Sequence, residues 1–215
     1  MSSADYVVQG EKVAGDLVQG ALETKDWKQV KDADGVQVFS KPSPDTKGNM
    51  YKVETVLNAP AEKVFAAVDP TREYRVQWDE FLAELKVEAK LTENVYLIYH
   101  GTKGMLGGLV SARDSLDVVT VGQKDDYYYV AAGTVDHVSY PPRDHSVRIH
   151  QYTSGYVIMP VDGAPDKCRF IMAMNTDMKM NSIASFMTEP VKPRLLLEKI
   201  KNLRRGLETL EIKYQ

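Results

Sequence analysis

Residues 95–100, VYLIYH, and residues 116–121, LDVVTV, decide the fold. In the first, Val95, Leu97 and Tyr99 alternate with Tyr96, Ile98 and His100. In the second, Leu116, Val118 and Thr120 alternate with Asp117, Val119 and Val121. A period of two belongs to a β-strand, whose successive side chains point to opposite faces. The same rhythm runs from Leu82 onward. The aromatic run 127–132 follows a hairpin loop at 122–126, and further strands are predicted at 146–152, 155–159 and 167–175. Upstream, strands are predicted at 27–31, 36–41 and 49–57, separated by the turn-forming stretches 32–35 and 42–45.

Helical periodicity frames this β-rich middle. Over 4–23, Tyr6, Gly10, Val13, Leu17 and Ala21 share one face, although Gly10, Gly15 and Gly20 weaken the helix and leave tertiary contact to hold it. A short helix at 61–68 opens after Asn58-Ala59-Pro60 and stops before Pro70. Residues 181–214 are predicted to be mostly helical, with a stripe of Leu196, Ile200, Leu203, Leu207 and Leu210; Pro190 and Pro193 should kink or interrupt its start. There is no internal repeat, low-complexity tract or linker, so residues 1–215 read as one α+β domain. A long antiparallel sheet must cover one face, and the two terminal helices are the only large elements to do it. A strongly curved sheet closed by one long helix leaves a space, either packed or hollow.

Composition narrows the function classes. The chain has 215 residues, 43% hydrophobic and 27% charged, which fits a folded globular protein and excludes disordered and fibrous classes. Its 27 basic residues against 30 acidic ones, a net charge of -3, give no electrostatic case for nucleic acid. One cysteine, Cys168, forbids an internal disulfide and suits a reducing compartment. The start, MSSADYVVQGEK, lacks a signal-peptide layout and no apolar run is long enough to span a bilayer, so a cytoplasmic location is expected.

Chemistry-bearing clusters are sparse. His145 and His150, five apart on a predicted strand, point to opposite faces and cannot share a metal; with His100 and His137 they read as surface or hydrogen-bonded groups. Cys168 alternates with Phe170, Met172 and Met174 like a small core hydrophobe, and nothing around it resembles a nucleophile elbow. No catalytic or metal-ligating residue is assigned. The glycine-rich stretch 101–108 fits neither nucleotide-binding spacing and reads as a surface loop, but Met105, Leu106 and Leu109 put apolar side chains on it, suited to a membrane or a pocket rim. Arg113 and Asp114 are adjacent, face opposite ways and should anchor different partners. Six of the nine methionines fall within 159–187, which suits either an irregular core or a pocket for a bulky apolar ligand.

Several motifs, taken in order, resemble the StAR-related lipid transfer (START) family over residues 5–213. They are Asp26-Trp27-Lys28, Gly35-Val36-Gln37-Val38, Gly48-Asn49-Met50-Tyr51-Lys52, Val76-Gln77-Trp78-Asp79-Glu80, Val110-Ser111-Ala112-Arg113-Asp114 with alanine in place of the usual proline, residues 137–148 (HVSYPPRDHSVR), and Asn175-Thr176-Asp177. The detail is most similar to the short soluble members that bind sterols or bile acids. The resemblance implies a helix-grip START fold: a curved antiparallel sheet of about nine strands, with N- and C-terminal helices, enclosing a hydrophobic tunnel for one lipid. It implies a monomeric carrier of a sterol, oxysterol, bile acid or carotenoid, without cofactor or covalent chemistry, that touches membranes transiently through a gate made by the 101–108 loop and the last helix. Counting from Arg113, an acid and an arginine found inside the tunnel of some sterol-binding members fall at His100 and Val119, so the charged pair is expected to be absent and His100 to be the single polar handle. Ser115 replaces a family phenylalanine, and a glycine is missing from 178–181.

The lipid-binding residues expected on this reading are His100, Val119, Met105, Leu106, Leu109, Met172, Met174 and Asn175, with Met187, Val191 and Leu195 from the cavity end of the last helix. Two rival readings stand beside it. One is a helix-grip enzyme, cyclase- or thioesterase-like, using His100 as acid or base. The other is a scaffold whose core is filled, with Met172, Met174 and Met187 packed together.

Overall fold

The computed structural model describes residues 2–214. Helix α1 (Ser3–Leu22) begins on Ser2, whose hydroxyl accepts the Asp5 amide while the Asp5 carboxylate accepts the Ser2 amide. Strands β1 (Lys28–Ala33), β2 (Val36–Pro42) and β3 (Asn49–Leu57) follow as a meander, then the short helices α2 (Ala61–Val68) and α3 (Arg75–Trp78). Next come β4 (Leu82–Lys90), β5 (Val95–Thr102), β6 (Arg113–Lys124) and β7 (Tyr127–Thr134), the two-residue strands β8 (Val147–Arg148) and β9 (His150–Gln151), and the long hairpin β10 (Ser154–Val161) and β11 (Ala164–Met174). The chain ends with β12 (Thr176–Asp177), α4 (Ser182–Thr188), a 3-10 turn and α5 (Lys192–Thr209). The main sheet runs β1-β2-β3-β11-β10-β7-β6-β5-β4, antiparallel throughout, with β8 lying parallel beside β6.

The period-two expectation holds, and its two sets of side chains are both buried. Toward α5 the sheet presents Val38, Val53, Ile98, Val119, Ile158 and Phe170, meeting Leu196, Ile200 and Leu203. The opposite face offers Ala131, Val157, Ile171 and Ala173 to Val13, Ala14, Leu17 and Ala21 of α1, and Leu97, Leu116 and Val118 to Tyr6. The sheet is therefore covered on both faces, one terminal helix to each, where one covered face was expected. Sequence could not reveal this because α1 looks like any surface amphipathic helix; only the register assigns it a side.

Two other expectations are corrected. Residues 146–152 do not form one strand: β8 pairs with β6 and β9 pairs with β12, so the segment breaks at buried Ile149. The last helix ends at Thr209, short of residue 214. Its start is interrupted as Pro190 suggests, by the 3-10 turn Glu189–Val191.

Helix α5 is seated by residues around Trp78. The Trp78 indole donates to the Ala67 carbonyl at 2.7 Å, and a Cβ on Gly206 of α5 would lie 2.5 Å from the Trp78 Cβ, so only glycine lets the helix come this close. Beside it, the buried Asp79 carboxylate takes Lys199 of α5 and, at 3.7 Å, Arg75. On the outer face, fully buried Lys52 binds the end of α1 through the Glu23 carbonyl at 2.8 Å and pairs with Glu54 at 2.9 Å. A cation there meets the negative end of the helix.

The three glycines of α1 should part company on substitution. A Cβ on Gly10 would sit 2.8 Å from Thr120 Oγ1 and 3.0 Å from Val118, whereas Gly15 and Gly20 face open space. Gly10→Ala is expected to lower stability by about 1–3 kcal/mol, and Gly15→Ala and Gly20→Ala to raise it by about 0.5–1 kcal/mol each; urea unfolding distinguishes the three. A second expectation concerns acid. Burial alone would raise the Asp79 pKa, but Lys199 and Arg75 outweigh it and bring it below its ordinary value. A lowered folded pKa gives stability that is complete above the unfolded value and lost as pH falls through the folded one. Asp79→Asn should therefore cost about 3 kcal/mol at pH 7, and the gap to the parent should close only below about pH 4, as read by denaturation across pH.

Candidate functional site: a hollow between the sheet and the last helix

Helix α5 meets the sheet closely along Ile200, Leu203 and Leu207, but toward its N-terminus the two part. Between them lies a cavity of about 250 Å³, just under the ~300 Å³ at which ordinary small-molecule sites begin. Its walls come from β5, β6, β7, β10 and β11, with α5 as the roof. Most of the lining is aliphatic or thioether: Val119, Val130, Met172, Met174, Leu195 and Leu196. Ala132, with its short side chain, keeps the β7 wall back. Four of the clustered methionines (Met172, Met174, Met178 and Met180) reach the hollow, while Met159 packs on the α1 side. Flexible, polarizable side chains around a void suit ligands of irregular shape.

One wall is polar. His100 on β5 stands opposite Ser115 on β6, and its Nδ1 lies 2.8 Å from Oδ2 of Asp117, an ion-pair distance without the alignment of a linear hydrogen bond. Asp117 is fully buried and accepts from Ser115 Oγ, Thr134 Oγ1 and Gln151 Nε2, each at 2.7 Å. Burial by itself would raise the Asp117 pKa; His100, Ser115 and Thr134 outweigh it and hold the carboxyl below its usual range. Asp117 backs His100 without itself lining the hollow, and positions 100 and 119 carry no acid and no arginine, as expected. His100 is not the single polar handle, because Arg113, Asp114 and Ser115 also line the cavity.

Two segments close the mouth. The first is the 103–112 loop, pinned by a bridge between Met105 and Val110; Gly101 itself belongs to β5, so the loop starts later than the 101–108 reading. The second is the stretch from Met178 through α4 to the 3-10 turn. Arg113 ties the two, donating from Nε to the Met178 carbonyl at 3.1 Å and from Nη1 to the Ser111 carbonyl at 2.8 Å. At the far end Glu189 accepts from the Tyr51 hydroxyl at 2.6 Å and Asn49 at 2.9 Å, and pairs with Lys192 at 2.6 Å. Arg113 and Asp114 do serve different partners, since Asp114 pairs with Arg148 at 3.1 Å.

Of the residues expected to contact a lipid, His100, Val119, Met105, Leu106, Met172, Met174 and Leu195 line the hollow. Leu109, Asn175, Met187 and Val191 do not. Leu109 and Met187 are exposed on the outside of the mouth, and half-buried Val191 lies in the turn behind it. Asn175 is a structural tie: its side chain accepts from Ser43 Oγ and donates to Asp45, both at 2.7 Å. With Met187 outside, Met172, Met174 and Met187 cannot form the filled core of the scaffold reading. Sequence reasoning missed Asp117 as the partner of His100 and the place of Arg113 in the cavity wall. Parity was the available signal for Asp117, which shares the face of Val119 in the alternating run.

Cys168 is buried and its thiol is pushed up to about 12 by burial. His137 stacks between Tyr6 and Tyr140, and His150 against Tyr152. Among the described residues no helix is long and apolar enough to cross a membrane.

Comparison with known proteins places this architecture. Residues 8–211 match the START domain family. StAR-related lipid transfer protein 5 of Bos taurus is 29% identical over 180 residues, covering 83% of this chain and 84% of that protein. Its Homo sapiens counterpart is 28% identical over 214 residues, covering 97% and 98%. The solved structure of human StAR-related lipid transfer protein 5 superposes with a TM-score of 0.89 at 24% identity, over 96% of this chain and 98% of that one, which speaks for a shared fold. With the helix-grip sheet, its two covering helices and a match that runs almost from end to end, the chain belongs to the START domain family.

Proposed function

We propose that this chain, acting as one lipid-binding unit, takes a single lipid molecule into the hollow under α5 and carries it between membranes without making or breaking a covalent bond. The observation that carries the reading is the cavity itself, mostly apolar, lying between the sheet and α5 and rimmed by two short mouth segments. Relatives across nearly the full length carry lipid transfer in their names. The ligand class we favour is a sterol-sized skeleton: a sterol, oxysterol, bile acid or carotenoid. Burying roughly 400 Å² of such a molecule contributes a gross ~10 kcal/mol at about 25 cal/mol per Å². Ordering and association take back several kcal/mol, which leaves affinity in the micromolar range or somewhat tighter. At about 250 Å³ the hollow must widen to load, and the segments held mainly by polar contacts at the mouth are the parts that give.

The mouth also supports a membrane-facing role. Phe186 and Met187 on α4 are 82% and 51% exposed, and Leu106 and Leu109 project from the facing loop. Apolar side chains around the entrance let it sit on a bilayer while cargo passes. The alternative, a helix-grip enzyme using His100 as acid or base, would need a reacting group beside the imidazole, and Ser115, opposite His100 across the strands, instead donates to Asp117.

Delipidated protein mixed with a panel of sterols, bile acids and carotenoids should show a one-to-one complex by native mass spectrometry. Ala132→Phe, which fills the β7 wall, should weaken uptake about tenfold with circular dichroism unchanged. A folded Ala132→Phe protein that loads as well as the parent, or a parent that takes up nothing from the panel, sinks the reading.

A further inference from the structure

Residues 43–51, the turn after β2 and the first residues of β3, do not line the hollow, yet they bind both ends of the stretch that closes its mouth. That stretch, 178–191, bears Met178 and Met180 on the hollow but turns Phe186 and Met187 outward. With those two side chains unburied, it depends on polar ties. At its root, Asn175 accepts from Ser43 Oγ and donates to Asp45, both at 2.7 Å. At its far end, Glu189 accepts from the Tyr51 hydroxyl at 2.6 Å and from Asn49 Nδ2 at 2.9 Å. Lys192, the ion-pair partner of Glu189, also lies 5.7 Å over the Tyr51 ring.

The segment is stiff. The Ser43 amide donates to the Gly48 carbonyl at 3.0 Å, and Ser43 Oγ accepts the amides of Asp45 and Thr46, each at 3.1 Å. Thr46 Oγ1 accepts the Gly48 amide at 3.1 Å. Asn49 and Tyr51 then enter the sheet, Asn49 opposite Pro42 and Tyr51 between Ser40 of β2 and Met174 of β11. Donors fixed in this way lose little freedom when they bind a partner. Two of the ties end on a carboxylate, which makes them the stronger kind of hydrogen bond.

We propose that residues 43–51 are the latch of the entrance: they hold the 178–191 stretch shut from outside the cavity, so that releasing them speeds loading and unloading without changing what is bound. Contacts outside the hollow are the same whether it is empty or filled, so they set the barrier to passage and leave the affinity alone. The proposal rests on the hollow being a lipid site and concerns the regulation of access to it.

The test uses Tyr51→Phe and Ser43→Ala, which each delete a hydroxyl tie at opposite ends of the stretch. Amide hydrogen exchange across 178–191 of the full chain should quicken about fivefold or more in each variant, the effect of one lost hydrogen bond. Transfer of the fluorescent sterol dehydroergosterol between phosphatidylcholine vesicles should quicken by a similar factor, with its equilibrium affinity within about twofold of the parent. Gly10→Ala, which loosens the α1 face instead, is run alongside and should leave exchange at 178–191 at the parental rate. Folded variants with unchanged exchange there, or a quickening shared by Gly10→Ala, overturn the latch. Faster amide exchange with parental transfer rates overturns its control of passage and leaves lipid carriage standing. A parent that moves no sterol overturns carriage and the gating role together.

Discussion

The seat of α5 on Trp78 and Asp79 is the contact on which the rest depends. Gly206 lets the helix backbone press against the indole, and Lys199 closes on the Asp79 carboxylate within the same two turns. The indole is itself fixed to the Ala67 carbonyl, so the helix is seated on a rigid piece. Toward the N-terminus of α5, Leu195 and Leu196 line the hollow together with Val119 and Ala132 of the sheet. The same helix is thus seated closely at one end and bounds the hollow at the other. A Trp-Asp pair that reads in sequence only as a family mark has a mechanical meaning in the structure.

The sheet was legible because its signal is local. Alternation in 95–100 and 116–121 needs only neighbours a few positions away, and the helices at 61–68 and 192–209 announce themselves by period and proline. The two-sided burial was not legible. Strand β6 is buried at every position from Arg113 to Val121, and nothing in a single strand says which set of side chains faces which helix. The break at Ile149 was hidden for a related reason, since β8 and β9 owe their pairing to strands far away in the chain.

The site was legible in its grease and obscure in its charges. Valines and methionines announce an apolar surface wherever they fall, so Val119, Met172 and Met174 were found by pattern and resemblance. Asp117 could be recognised only through His100, Thr134 and Gln151, which reach it from three other strands. Asn175 was misread for the converse reason: a polar residue beside a predicted cavity looks like a ligand contact until Ser43 and Asp45 are seen to claim its side chain. Buried polar groups get their meaning from partners, and partners are a property of the tertiary fold.

The state of Cys168 has a practical consequence. Its sulfur is sealed against solvent between β10 and β3, and its raised pKa keeps it almost wholly protonated at neutral pH. Maleimide and iodoacetamide reagents will pass over the native chain, so a cysteine introduced on α4 or in the 103–112 loop becomes the sole labelled position. Paired dyes or spin labels at those two places can then follow the entrance opening in real time, with the native sulfur left untouched in its core.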